Sequence, residues 1–151
     1  MKLAEALQER ADLNVRIKQL ENRLSNNALV QEGERPSEEP AVLQKELDGC
    51  IERLMWLITR INITNCGTIV DGKTLTEMIA KKDALTLKLS IYRGLANTAG
   101  NTIYRARNSE IKIQPTVSVA ELQKQVDLMA KELRLLDNRL QETNWTTELI
   151  V

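Results

Sequence analysis

The feature that most constrains this chain is a seam of apolar residues, spaced alternately three and four apart, that recurs in four separate stretches. Residues three and four apart share one face of an α-helix, so each stretch predicts an amphipathic helix with one stripe to bury. The first runs over about Leu3–Asn26, with Leu3, Ile17 and Leu24 on one seam position and Ala6, Leu13 and Leu20 on the other. The second runs over about Ala41–Asn65 through Leu43, Leu47, Cys50, Leu54, Leu57 and Ile61. The third, to about Ala99, carries Leu75, Met78, Leu85, Leu89, Tyr92 and Ala96. The fourth, to about Thr143, carries Val119, Leu122, Val126, Met129, Leu133, Leu136 and Leu140. With only six Gly and three Pro in 151 residues, little interrupts these helices. The expected fold is all-α: four long amphipathic helices of coiled-coil type, arranged as an antiparallel bundle or as two packed helical hairpins.

Punctuation supports the boundaries. Gly33, Pro36 and Pro40 mark a first connector. Cys66-Gly67 ends the second helix, and Val70-Asp71-Gly72-Lys73 reads as a tight turn. Thr74-Leu75-Thr76-Glu77 and Ser118-Val119-Ala120-Glu121 are capping boxes, in which a hydroxyl takes a free first-turn amide and the carboxylate reaches back. In the connector from Asn101 to Val117, Ile111-Lys112-Ile113 alternates as a short strand would. Tyr104-Arg105-Ala106-Arg107 is its local basic-aromatic cluster.

The two halves are related. Residues 36–68 align with 115–147, twelve of 33 positions being identical, among them Gln44/Gln123, Lys45/Lys124, Arg60/Arg139, Thr64/Thr143 and Asn65/Asn144. The first helix aligns with the third at an offset of 72, and a basic residue breaks the seam in both, Arg10 against Lys82. Polar identities of this kind exceed what heptad convergence produces. The chain is therefore expected to be one helical domain of two helix-loop-helix repeats, about 1–68 and 74–147, related by a pseudo-two-fold.

The repeated polar residues are the candidate sites. Arg60, Thr64 and Asn65 close the second helix; Arg139, Thr143 and Asn144 close the fourth. One reading is structural: Thr and Asn bond the last carbonyls, and Arg favours the negative end of the helix. The other is a polar pocket in each half, with Trp145, holding an anion or a partner's carboxylate. The seam charges Arg10 and Lys82 predict a buried ion pair or a contact between subunits, with an unspecified acidic partner.

Composition removes several classes. There is no His, which excludes Ser-His-Asp and Cys-His nucleophiles and the usual di-metal Glu-x-x-His helices. Lys+Arg and Asp+Glu both number 21, so no net field recruits nucleic acid. The longest apolar run, Leu54–Ile58, falls far short of the ~20 residues of a spanning helix. Charges recur through the first ten residues, as they do not in a secretory signal, so a cytoplasmic chain with a buried Cys50 thiol is expected. No cofactor and no catalytic or metal residue is expected. Surplus apolar residues off the seams, Leu87, Ile91 and Leu95 in the third helix and Met55, Trp56 and Ile63 in the second, predict a non-enzymatic homo-oligomer, a dimer or larger.

The opening Met1-Lys2-Leu3-Ala4-Glu5-Ala6-Leu7, the middle Asp71-Gly72-Lys73-Thr74-Leu75-Thr76, the segment Ser109-Glu110-Ile111-Lys112 before Pro115-Thr116-Val117, and the closing Gln141-Glu142-Thr143-Asn144-Trp145-Thr146-Thr147-Glu148-Leu149 together resemble the septicolysin-like family of small bacterial proteins. The resemblance spans nearly the whole chain, and its family label implies a membrane-active cytolysin as an alternative function. It transfers no catalytic residue. A carboxylate site for a metal, or an anion-binding protein, is the other alternative.

Overall fold

The computed structural model describes residues 1–101 and 111–151. Tyr104-Arg105-Ala106-Arg107 and Ser109-Glu110 therefore lie outside the described residues. Among those described, the chain forms α1 (Leu3–Asn26), α2 (Pro40–Gly67), β1 (Ile69–Val70), β2 (Lys73–Thr74), α3 (Leu75–Gly100) and α4 (Val119–Thr146). The fold is all-α, with one two-stranded ribbon, β1 against β2. Asp71 and Gly72 make its turn with φ of 52° and 80°. Two successive positive φ values are what a two-residue hairpin matching the strand twist requires, and they explain Asp-Gly at this point. The predicted strand at Ile111-Lys112-Ile113 does not form; this stretch is irregular and exposed. Three alternating residues with Pro115 just beyond are too short a run to specify pairing and join no strand among the described residues, so the period-2 pattern goes unused.

Helix starts follow their caps. Thr74 Oγ1 accepts from the Glu77 amide at 3.1 Å, while Glu77 accepts from the Thr74 amide at 2.7 Å. Ser118 Oγ accepts from the Glu121 amide at 3.3 Å. In α1 the Lys2 amide donates to Glu5 at 2.7 Å, the place held by Thr74 and Glu77 seventy-two residues later.

The chain divides into two compact units, Met1–Val70 with Thr143–Val151, and Asp71–Glu142. In the first, α1 and α2 pack as a hairpin around buried Leu20, Leu43 and Cys50, with Leu13, Ile17, Leu24 and Leu47 against them. In the second, Leu89, Val126 and Met129 are the buried centre, with Leu85, Tyr92, Ala130 and Leu133 around it. Shifting the first set by 72 in α1 and 79 in α2 turns Leu13, Ile17 and Leu20 into Leu85, Leu89 and Tyr92, and Leu47 and Cys50 into Val126 and Met129. One packing pattern is thus written twice, with volumes redistributed as a core allows when total packing is kept.

The first unit also contains a clasp between chain ends. Lys2 and Glu148 form an antiparallel bridge. The Leu3 amide donates to the Thr147 carbonyl and the Leu149 amide to the Met1 carbonyl, both at 2.9 Å. Glu148 accepts from the Met1 ammonium at 3.2 Å and pairs with Lys2 Nζ at 2.6 Å. These contacts, the Lys2 ammonium first, hold its carboxyl below the usual carboxylate range. Leu149 is buried behind this bridge.

Candidate functional site

The repeated Arg-x-x-x-Thr-Asn motifs resolve into unequal pieces. Thr64 is fully buried. Its hydroxyl donates to the Arg60 carbonyl at 2.8 Å and accepts from the Ile150 amide at 2.9 Å. It therefore fastens the C-terminal segment onto the end of α2, a structural use of the motif. Gly67 belongs to the same closure, since a Cβ there would meet Ile150 Cδ1 at 3.1 Å. Thr143 is also buried, and its carbonyl accepts from the Thr147 amide at 2.9 Å. Asn65 and Asn144 are half-buried.

The two arginines differ more. Arg139 Nη1 donates to Glu142 at 2.8 Å and Nε to Asp71 at 3.3 Å. Two carboxylates already neutralise it, Glu142 most strongly, and together they raise the guanidinium pKa further. Arg60 has neither. Its guanidinium lies 5.9 Å from the centre of the Trp56 ring, and its buried Nε has no hydrogen-bond partner. Arg53 covers the same ring at 4.4 Å and grips Glu9 with two bonds, at 2.7 and 2.9 Å. The aromatic in this cluster is Trp56; Trp145, the expected contributor, is 62% exposed. Residues 53, 56 and 60 stand three and four apart, and that spacing is the signal by which sequence reading could have found the stack.

The seam charges separate in the same way. Lys82 pairs with Asp137 of α4, so the acidic partner left open by the sequence is a residue of the same unit. Both side chains remain partly exposed, so the pair is half-buried rather than fully desolvated. At the position equivalent to Asp137, seventy-nine residues earlier, stands Ile58, and half-buried Arg10 has no ion pair among the described residues. Another aligned pair of positions carries opposite signs: Glu9–Arg53 corresponds, at offsets of 72 and 79, to Lys81–Glu132 at 2.8 Å.

The surplus apolar residues are the other candidate. Leu87, Ile91 and Leu95 are 64%, 58% and 42% exposed along α3. Ala80, Ala84, Gly94 and Thr98 extend the same exposed stripe, on the side of α3 away from Leu85, Leu89 and Tyr92. The stripe carries no charge. The equivalent positions of α1 are Gln8, Asp12, Val15, Gln19, Asn22, Arg23 and Asn26. Apart from Val15 these α1 positions are polar, so the continuous apolar stripe belongs to α3 and not to α1. In α2, Met55 and Ile63 are exposed, whereas Trp56 is half-buried between its arginines.

Among the described residues, no helix is long and apolar enough to cross a membrane, and no group of three or more Cys, Asp or Glu is placed to hold a metal ion. Cys50 is a buried free thiol and Cys66 an exposed one.

No curated protein matches the chain. Among solved structures, it is similar to a crystal structure described as a functionally unknown conserved protein from Corynebacterium diphtheriae, at 40% identity over 99% of both chains, with a TM-score of 0.94. A family model matches residues 10–149, so this helical chain belongs to the family of unknown function DUF6847.

Proposed function

We propose that this protein works by self-association, as a non-enzymatic helical scaffold or protein-interaction module. The observation that carries the reading is the charge-free ridge Leu87–Ile91–Leu95 on the outer side of α3. Leaving three large aliphatic side chains in water on one face forgoes the burial, at about 25 cal/mol per Å2, that helix association provides. A contiguous patch of this type marks an interface more often than scattered surface leucines do. The polar counterpart surface on α1 argues the same way, because the fold does not demand the stripe. Arg60, uncompensated where Arg139 is doubly paired, offers a second point at which a neighbour's carboxylate would be accepted.

Sedimentation equilibrium and light scattering on the purified chain at micromolar concentration test the reading. It requires a mass of at least twice 17.1 kDa. A monomer across the accessible concentration range removes it.

A further inference from the structure

The outer stripe of α3 has a spacing that the exposure values alone do not reveal. Ala80, Ala84, Leu87, Ile91, Gly94 and Thr98 follow one another at four, three, four, three and four residues. That is a second heptad seam on the same helix, back to back with the one that makes the core. In heptad terms Leu87 takes a d position and Ile91 an a position, the assignment that favours two parallel strands. Small residues at Ala80, Ala84 and Gly94 let two such helices approach closely.

The flanking charges choose between orientations. Asp83 stands at a g position and Lys88 at the e position five residues on. In a parallel pair each Asp83 faces Lys88 of the partner subunit, twice by symmetry. In an antiparallel pair centred on residue 89, Lys88 faces Lys88 of the partner subunit, which is repulsive. Asp83 has no ion pair among the described residues; Lys88 lies over the face of Tyr92 at 5.4 Å and within the electrostatic reach of Glu132 but makes no salt bridge among the described residues, so both can be engaged at the edge of the seam. Thr76, Ser90 and Asn97 at the remaining g positions add no opposing charge.

We propose that a second copy of this chain covers the stripe, α3 running parallel to α3 of the partner subunit and in register, with reciprocal Asp83–Lys88 pairs closing its edges. The inference rests on the self-association reading and adds its face, orientation and register. A two-fold of this kind is isologous, and the seam requires no other surface to be complementary.

The test uses full-length protein carrying Cys66→Ser, which removes the exposed thiol and leaves Cys50 buried. Ala80→Cys and Thr98→Cys are introduced singly and oxidised under mild conditions. In the proposed arrangement each links to its own copy. In an antiparallel pair each would lie about 27 Å from its own copy, at 1.5 Å of rise per residue, and mixing the two variants would give the heterotypic link instead. In sedimentation, Asp83→Lys and Lys88→Glu are each expected to weaken the dimer about tenfold, and the double exchange to return it to within about threefold. Homotypic links together with that rescue support the proposal. Heterotypic links, or a dimer blind to both substitutions and cysteines, overturn it while leaving self-association intact. A monomeric wild-type chain overturns both. Far-ultraviolet circular dichroism of each variant confirms that the helices are retained.

Discussion

Thr64 shows how a single hydroxyl ties distant parts of a chain. It is buried, donates back to its own helix and receives the Ile150 amide. Thr64→Val keeps the shape but leaves that amide facing a methyl group. The expected cost is about 1–3 kcal/mol, the penalty for an orphaned buried donor. It is read as a lower urea midpoint with an unchanged m-value, and a midpoint equal to wild type would show that the tail is not held there. Glu9 acts through charge. The two-pronged contact with Arg53 holds its carboxyl below its ordinary range. A carboxylate depressed in the folded state contributes stability that is fully present above the unfolded value, about 4.3. That contribution is lost as pH falls through the lower folded value. Glu9→Gln is therefore expected to be less stable than wild type near neutrality. The gap should narrow below about pH 4, in paired urea titrations at the two pH values. With both side chains a third or more exposed, solvent screening keeps the effect small.

At the scale of elements, the ribbon between α2 and α3 depends on its turn. Gly72 sits at φ 80°, where a Cβ is strained although nothing crowds it. Gly72→Ala is expected to destabilise by about 1 kcal/mol through backbone strain alone, measured by thermal unfolding. The helices themselves were legible in the sequence because their stripes are long and their ends are marked. Leu3–Asn26 is as read, α2 ends at its Cys66-Gly67 stop, two residues beyond Asn65, and α4 runs three residues beyond Thr143. The alternation at Ile111-Lys112-Ile113 forms no strand because three residues are too short a run to specify pairing. At the candidate site, the Arg-Thr-Asn repeats were visible but their inequality was not. It comes from residues outside the motif: Asp71 and Glu142 beside Arg139, Trp56 and Arg53 beside Arg60. Likewise the Lys82 partner, Asp137, aligns with Ile58 at the offset of 79, so the alignment concealed the difference between the two seams.

On the scale of the whole chain, the clasp of Met1–Leu3 with Thr147–Leu149 left no pattern in the sequence, since backbone pairing between the ends is independent of side-chain periodicity. Under the repeat offsets, Lys2 corresponds to Thr74 and Glu148 to Ile69, residues of the β1–β2 ribbon. One junction is thus made twice, once across a tight turn and once between segments far apart in the sequence. The joints are therefore interchangeable in principle. Joining Val151 to Met1 through a short glycine-serine bridge and opening the backbone between Asp71 and Gly72 should yield a permuted chain with the same helical spectrum and a cooperative melt. Its new ends would be held by the ribbon as the old ones are held now, and a permutant that fails to regain helicity would mean that order along the chain matters more than the contacts at its seams.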